Sequence, residues 1–259
     1  MTSHLQVERA DRIATVRLNR PDKHNAFDEH LIAELAQAFR DLAIDAGVRV
    51  VVLAANGPSF SAGADLDWMK RMSVMDRAAN ERDSLLLSDL MEAIDRCPKP
   101  VVGLIEGAAF GGGVGLVACC DIAIATTRAS FCLSEVRLGL IPAVISPYVA
   151  AAIGPRACRR YFLTAERFDA AAAEALGLVH RVVAPEELAE TRDEIVGHLM
   201  KGGAAAQAAA KDLLHRVAYA RIDEALRRDT ASRIADARAS NEGKEGIAAF
   251  LEKRKPEWG

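Results

Sequence analysis

The chain has 259 residues, 27% of them charged, and a formal net charge of −3 at pH 7. That length buries a sizeable core in one domain. The near balance of charge argues against a nucleic-acid or membrane-surface role, and no apolar run reaches the roughly 18 residues of a spanning helix. The N-terminal stretch MTSHLQVERADR lacks the apolar centre of a secretory signal. The five cysteines, Cys97, Cys119, Cys120, Cys132 and Cys158, form no CxxC pair. The expectation is a cytoplasmic protein with reduced thiols, no disulfide framework and no metal site.

In chain order, Leu5–Glu8 and Ile13–Leu18 alternate around Arg9-Ala10-Asp11-Arg12 and predict a hairpin. Asn19-Arg20-Pro21-Asp22 breaks the second strand. Asp28 is placed to cap a helix in which Leu31, Leu35, Ala38, Phe39 and Leu42 recur at helical spacing. Val48–Ala54 is valine-rich and predicts a strand buried on both faces. Met72–Ile94 reads as one polar helix, ended by Cys97-Pro98-Lys99-Pro100. Val101–Ile105 is a second buried strand, Gly113–Cys120 a helix, and Ile122–Ala125 and Ser130–Leu133 short strands. After Arg156 the chain is mostly alanine-rich helix. Strand and helix alternate, so the fold class is α/β with mainly parallel strands, in units too unequal for a regular eight-fold barrel. Gly202-Gly203 is the one plausible boundary, dividing a core over 1–200 from a helical region over 201–259.

Two runs of small residues follow strand-like stretches: Phe60-Ser61-Ala62-Gly63-Ala64-Asp65-Leu66, and EGAAFGGGVGLVACCD over 106–121. Small residues let backbone N–H groups approach a ligand closely. Two such loops side by side aim two N–H donors at one carbonyl oxygen, the arrangement of an oxyanion hole. Gly113-x-Gly115-x-x-Ala118 matches the dinucleotide pattern but lies mid-chain, away from the first strand turn that the pattern needs. Gly57-Pro58-Ser59-Phe60-Ser61 approaches a nucleophile elbow, lacks its last glycine, and is followed by no histidine in a triad position. Glu135 follows the strand-like SFCL and precedes Val136-Arg137-Leu138-Gly139. A carboxyl in apolar surroundings has a raised pKa and suits general acid–base work near neutral pH.

FSAGADL, EGAAFGGGVGLVACCD and FCLSEVRLGLIP, in this order, resemble the crotonase superfamily, the enoyl-CoA hydratase/isomerase family. NRPDKHNAF, LTAERFDAAAAEALGLVHRVV and GIAAFLEKRKPEW extend the resemblance over almost the whole chain. It implies a spiral of ββα turns with a C-terminal helical trimerisation region, assembled as a homotrimer or a dimer of trimers. It implies an acyl-CoA substrate held with its thioester carbonyl between the N–H groups of Ala64 and Gly112. Coenzyme A arrives as part of the substrate, and no further cofactor is implied. Glu135 matches the glutamate that exchanges the proton at the α-carbon. Ala62, Gly63, Asp65, Leu66, Gly111, Gly115, Pro142 and Lys253 fall at substrate-side positions, Asp65 as a brace of the first loop and Lys253 near the CoA phosphates. The chain departs from the pattern twice. Gly115 stands where typical hydratases carry their other glutamate, and Ala143-Val144-Ile145-Ser146-Pro147-Tyr148 replaces a glycine-rich run. Both departures resemble the branch of 3-methylglutaconyl-CoA and isohexenylglutaconyl-CoA hydratases of leucine and acyclic-terpene breakdown. The expectation is that Gly115 leaves room for a branched or carboxylated acyl chain and for water. A Δ3,Δ2-enoyl-CoA isomerase using Glu135 alone, and a silent acyl-CoA-binding subunit, remain open.

Overall fold

The computed structural model describes residues 4–258. The first three residues of the polar N-terminal stretch, and Gly259, lie outside them. β1 (Leu5–Ala10) and β2 (Ile13–Leu18) form an antiparallel hairpin closed by Asp11 and Arg12, with φ at 50° and 66°. Such a two-residue turn matches the twist of its strands, so Arg9 and Ala10, expected in the turn, pair within the strand instead. Asp28 accepts the Leu31 N–H at the start of α1 (Glu29–Ile44), whose Leu31, Leu35, Phe39 and Leu42 are buried.

β3 (Val50–Ala55) runs between β2 and β5 (Val101–Ile105), parallel to both. Its Val51 and Leu53 join the main core with α1, and Val50, Val52 and Ala54 join a second core on the opposite face. The continuous valine run is thus explained by burial on both faces. β4 (Ser59–Ser61) follows directly. The single helix expected over 72–94 is two helices, α2 (Leu66–Met72) and α3 (Arg77–Asp95). The break falls at Asp76, which leaves the helix to accept the Ala79 N–H as an N-cap.

β5 is followed by β6 (Ala108–Phe110) and α4 (Gly112–Cys119), and then by β7 (Ile122–Thr126) and β8 (Ser130–Cys132). A 3-10 turn at Glu135–Leu138 leads to α5 (Ser146–Thr164), kinked at Gly154. β9 (Phe168–Asp169), α6 (Ala170–Leu176), β10 (Arg181–Val183) and α7 (Leu188–Met200) complete the core, and α7 covers the second face of the large sheet. The large sheet has the order β1-β2-β3-β5-β7-β10 and the small one β4-β6-β8-β9. Each of three successive turns of the chain places one strand in each sheet before its helix, the ββα spiral that the resemblance implies.

α8 (Ala204–Val217), α9 (Glu224–Ala239) and α10 (Asn241–Leu251) follow Gly202-Gly203. They are tied to the core by buried Arg49, which donates to the Gly202 carbonyl, and by Lys211, 2.7 Å from the Asp121 carboxylate. All five thiols are free and buried. Among the described residues no helix is long and apolar enough to cross a membrane, and no three His, Cys, Asp or Glu side chains gather as metal ligands.

Candidate active site

β4, β6 and β8 lie side by side and parallel, and the segment leaving each strand carries one candidate group. Ala64 follows β4, Gly112 follows β6 and Glu135 follows β8. The three segments meet at Gly111. A Cβ built there would lie 3.3 Å from Glu135 Oε1 and 3.9 Å from the Gly63 Cα. Gly111 has φ 51° and Gly63 φ 90°, a left-handed backbone that favours glycine. A Cβ at Gly63 would also press on the Phe110 carbonyl at 3.2 Å.

The hydrogen bonds around these loops leave the N–H groups of Ala64 and Gly112 among the donors without an acceptor. Phe27 N–H donates to Gly63 O at 2.7 Å, Asp65 N–H to Phe27 O at 2.8 Å, and Gly111 N–H to Cys132 O at 2.9 Å. Among the described residues no acceptor takes the N–H of Ala64 or of Gly112. Gly112 opens α4, whose first-turn N–H groups lack intrahelical partners and sit at the positive end of the helix dipole. Unsatisfied donors of this kind suit an oxygen that gains negative charge.

The segment 19–27 fixes the first loop. Asn25, fully buried with φ 52°, donates to the carbonyls of Asn56 and Ser59, each at 2.8 Å. Ala62 N–H donates to His24 O, and Arg20 spans Asp28 at 2.9 Å and Asp65 at 3.2 Å. Reading single residues missed this role of Arg20, Asn25 and Phe27. The available signal was a polar cluster, NRPDKHN, placed directly after an apolar strand. Asp65 is buried, and its carboxylate accepts the Asp67 and Trp68 N–H groups that open α2. Burial alone would raise its pKa; those two bonds, with Lys23 and Arg20, outweigh burial and hold it below the ordinary carboxylate value. Asp65 therefore braces the loop and has no free oxygen aimed at a ligand. Asp65→Ala is expected to cost about 1–2 kcal/mol of unfolding free energy for the lost cap alone. With both variants unfolded in urea, Asp65→Asn should lose clearly less, because its side-chain oxygen still caps α2.

Glu135 is half-buried, and its Oε2 is buried without a hydrogen-bond partner. Burial raises its pKa, offset only in part by its own backbone N–H. Gly115, one turn into α4, does not face an empty space. A Cβ there would lie 2.3 Å from Ile145 Cγ2, 2.9 Å from Ile145 Cβ and 3.2 Å from Met91 Sδ. The expectation that Gly115 leaves open room for acyl chain and water is corrected: Ile145 fills that room. The missing side chain at 115 and the bulky residue at 145 are one packing arrangement.

The remaining candidates are dispersed. Pro142 is buried just before Ile145, while Ala62 and Leu66 are exposed on the first loop and at the start of α2. Lys253 lies beyond α10, which packs on α8 and α9, and no hydrogen bond or ion pair joins it to the Gly111 cluster. Gly113 sits where a Cβ would strike Ser61 O at 2.8 Å, so the dinucleotide-like glycines serve close packing of α4. Ser59 Oγ does lie 3.0 Å from His24 Nδ1, but among the described residues no carboxylate orients that ring.

The sequence profile described as enoyl-CoA hydratase/isomerase matches residues 8–259. The chain belongs to the enoyl-CoA hydratase/isomerase family. Among solved structures, an enoyl-CoA hydratase from Shewanella pealeana superposes with a TM-score of 0.96 at 46% identity, over 98% of this chain and 96% of that one. An enoyl-CoA hydratase from Mycobacterium smegmatis gives 0.92 at 38% identity over 98% of each chain. A crotonyl-CoA hydratase from Syntrophomonas wolfei is 32% identical over 251 residues, 96% of this chain and 95% of that protein. The ββα spiral with its C-terminal helices is thus the architecture of the enoyl-CoA hydratase/isomerase family.

Proposed function

We propose that this chain hydrates a 2-enoyl-CoA thioester whose acyl chain is branched or carboxylated, of the 3-methylglutaconyl-CoA type. The observation that carries the reading is the meeting at Gly111 of the Glu135 carboxyl, whose Oε1 faces Gly111 and whose Oε2 is buried without a partner, with two N–H groups that lack an acceptor. The thioester oxygen accepts from Ala64 and Gly112, and the charge it gains as an enolate is stabilised by both donors and by the α4 dipole. Glu135 takes a proton from water as its oxygen bonds to the β-carbon, and then delivers that proton to the α-carbon. The carboxylate ends as it began, so one titratable group closes the cycle. We propose that the reaction uses no metal or redox cofactor and that coenzyme A comes with the substrate. Lys253 is our candidate for the CoA phosphates. Leu214, Tyr219, Ile222 and Phe250 are exposed on the C-terminal helices and their connections, which supports assembly as a trimer or a dimer of trimers.

The named relatives support hydration, and the likeness of FSAGADLDWM and FCLSEVRLGLIPAVISP to the glutaconyl branch supports the acyl class. A second reading, Δ3,Δ2-isomerisation, is favoured by the presence of Ile145 rather than a second carboxylate beside α4. Glu135 would then carry one proton from the α- to the γ-carbon. The ultraviolet band of the conjugated enoyl thioester separates these readings. We expect the absorbance to fall with 3-methylglutaconyl-CoA, at a kcat/KM at least about tenfold above that for crotonyl-CoA. Equal or reversed values overturn the acyl class. Absorbance rising from a 3-enoyl-CoA makes the chain an isomerase, and tight binding without any change makes it a silent acyl-CoA binder.

A further inference from the structure

Ile145 is 2% exposed and stands immediately before α5, anchored by the bond from Val149 N–H to its carbonyl at 3.0 Å. It fits into α4 at Gly115, with Cγ2 2.3 Å and Cβ 2.9 Å from where a side chain there would begin. Those distances leave no space for even a methyl group. The direction of this contact matters as much as its closeness. Side chains on a helix lean toward its N-terminus. The volume belonging to residue 115 therefore lies toward Gly111 and Gly112, where Glu135 Oε1 and the free N–H are found.

The distance to the reacting carbons is short. Gly115 is three residues past Gly112, about 4.5 Å of helix rise. An oxygen accepting from Gly112 sits about 2.9 Å from its nitrogen. The α- and β-carbons follow within two or three bonds of that oxygen. A side chain occupying the place of residue 115 thus comes within contact of the first acyl carbons. Met91 Sδ closes the same notch, so its lining is apolar. A β-branched side chain such as isoleucine has few rotamers, which makes the wall stiff.

We propose that Ile145 is a specificity-determining residue of this site: seated in the notch that glycine at 115 leaves, it walls the first carbons of the acyl chain. The proposal rests on the reading of the Gly111 cluster as a site for acyl-CoA thioesters.

The test compares wild type with Ile145→Ala, Gly115→Ala and the double variant. Two measurements are made: kcat/KM for hydration of straight and 3-branched 2-enoyl-CoA, and calorimetric affinity for butyryl-CoA, isovaleryl-CoA and coenzyme A alone. Ile145→Ala should shift the branched-to-straight ratio at least about tenfold toward the bulkier chain, with affinity for coenzyme A alone unchanged. Gly115→Ala should lower the Tm, and the double variant should recover most of that loss. A folded Ile145→Ala enzyme with both the kcat/KM ratio and the butyryl-to-isovaleryl affinity ratio within twofold of wild type overturns the proposal while leaving the hydratase reading intact. A Gly115→Ala protein as stable as wild type overturns the seating of Ile145. If nothing is hydrated but the variant still shifts the butyryl-to-isovaleryl ratio, the wall stands and the hydratase reading falls. If no thioester binds the wild type, both fall together.

Discussion

Glu135→Gln is expected to lower turnover by about 10²–10⁴-fold, the usual worth of a positioned proton carrier, while affinity for the thioester stays near that of wild type. The amide matches the carboxyl in shape and cannot cycle a proton. Two pH effects accompany the loss. Hydration needs the ionised carboxylate to accept the proton of water, so kcat/KM of the wild type should rise with pH through a limb above the ordinary glutamate value, since burial raises this group. The stability effect has the opposite sign. A carboxyl whose pKa is higher in the folded chain than in the unfolded chain binds its proton more tightly when folded. Its contribution to stability is therefore full at pH below the unfolded value and declines as pH rises toward the folded value. Glu135→Gln should be more stable than wild type at neutral pH, and the gap should close in acid. Turnover within a few-fold of wild type, or a stability gap that widens in acid, removes Glu135 from this role.

Replacing the Ala64 residue by lactic acid, which exchanges its N–H for an ester oxygen, is expected to raise the barrier by about 2.7–4 kcal/mol. That corresponds to roughly a 10²–10³-fold fall in kcat. The probe is clean because Ala64 N–H has no acceptor among the described residues, so no fold-holding bond is lost. Proline at 112 is a poorer probe of the other donor. A Cβ there already meets the buried Phe27 ring at 2.9 Å, and Gly111 holds φ 51°, ψ −119°, far from the extended region that precedes a proline. A single-turnover measurement showing unchanged chemistry in the ester variant would mean that another group polarises the thioester.

What could be read in the sequence was mostly local. Asp28 caps α1 because its side chain reaches an N–H three residues on, and Val101–Ile105 is a strand because five consecutive apolar residues have both faces covered. Glu135 stood out as a carboxylate after an apolar strand, and its desolvated oxygen is the structural counterpart. Contacts between distant segments were not legible. β4 and β6 have three residues each, too few to show a period, and they exist because the small sheet pairs them. The filling of the Gly115 notch by Ile145 joins two helices, and no spacing rule connects the two positions. The resemblance marked both as departures and gave each its own meaning; packing makes them one.

The order of the parts along the chain has a consequence for synthesis. Each turn of the spiral adds one element of the site: the first N–H after β4, the second after β6, the carboxyl after β8. A ribosome working from the N-terminus at about 5–20 residues per second finishes both donors one to a few seconds before Glu135 is made. The Gly111 N–H donates to Cys132 O and β6 pairs with β8, so the second donor is fixed in place only when the strand leading to Glu135 has been made. The chain gains its acid–base group last, when the turn that encloses that group is also being laid down.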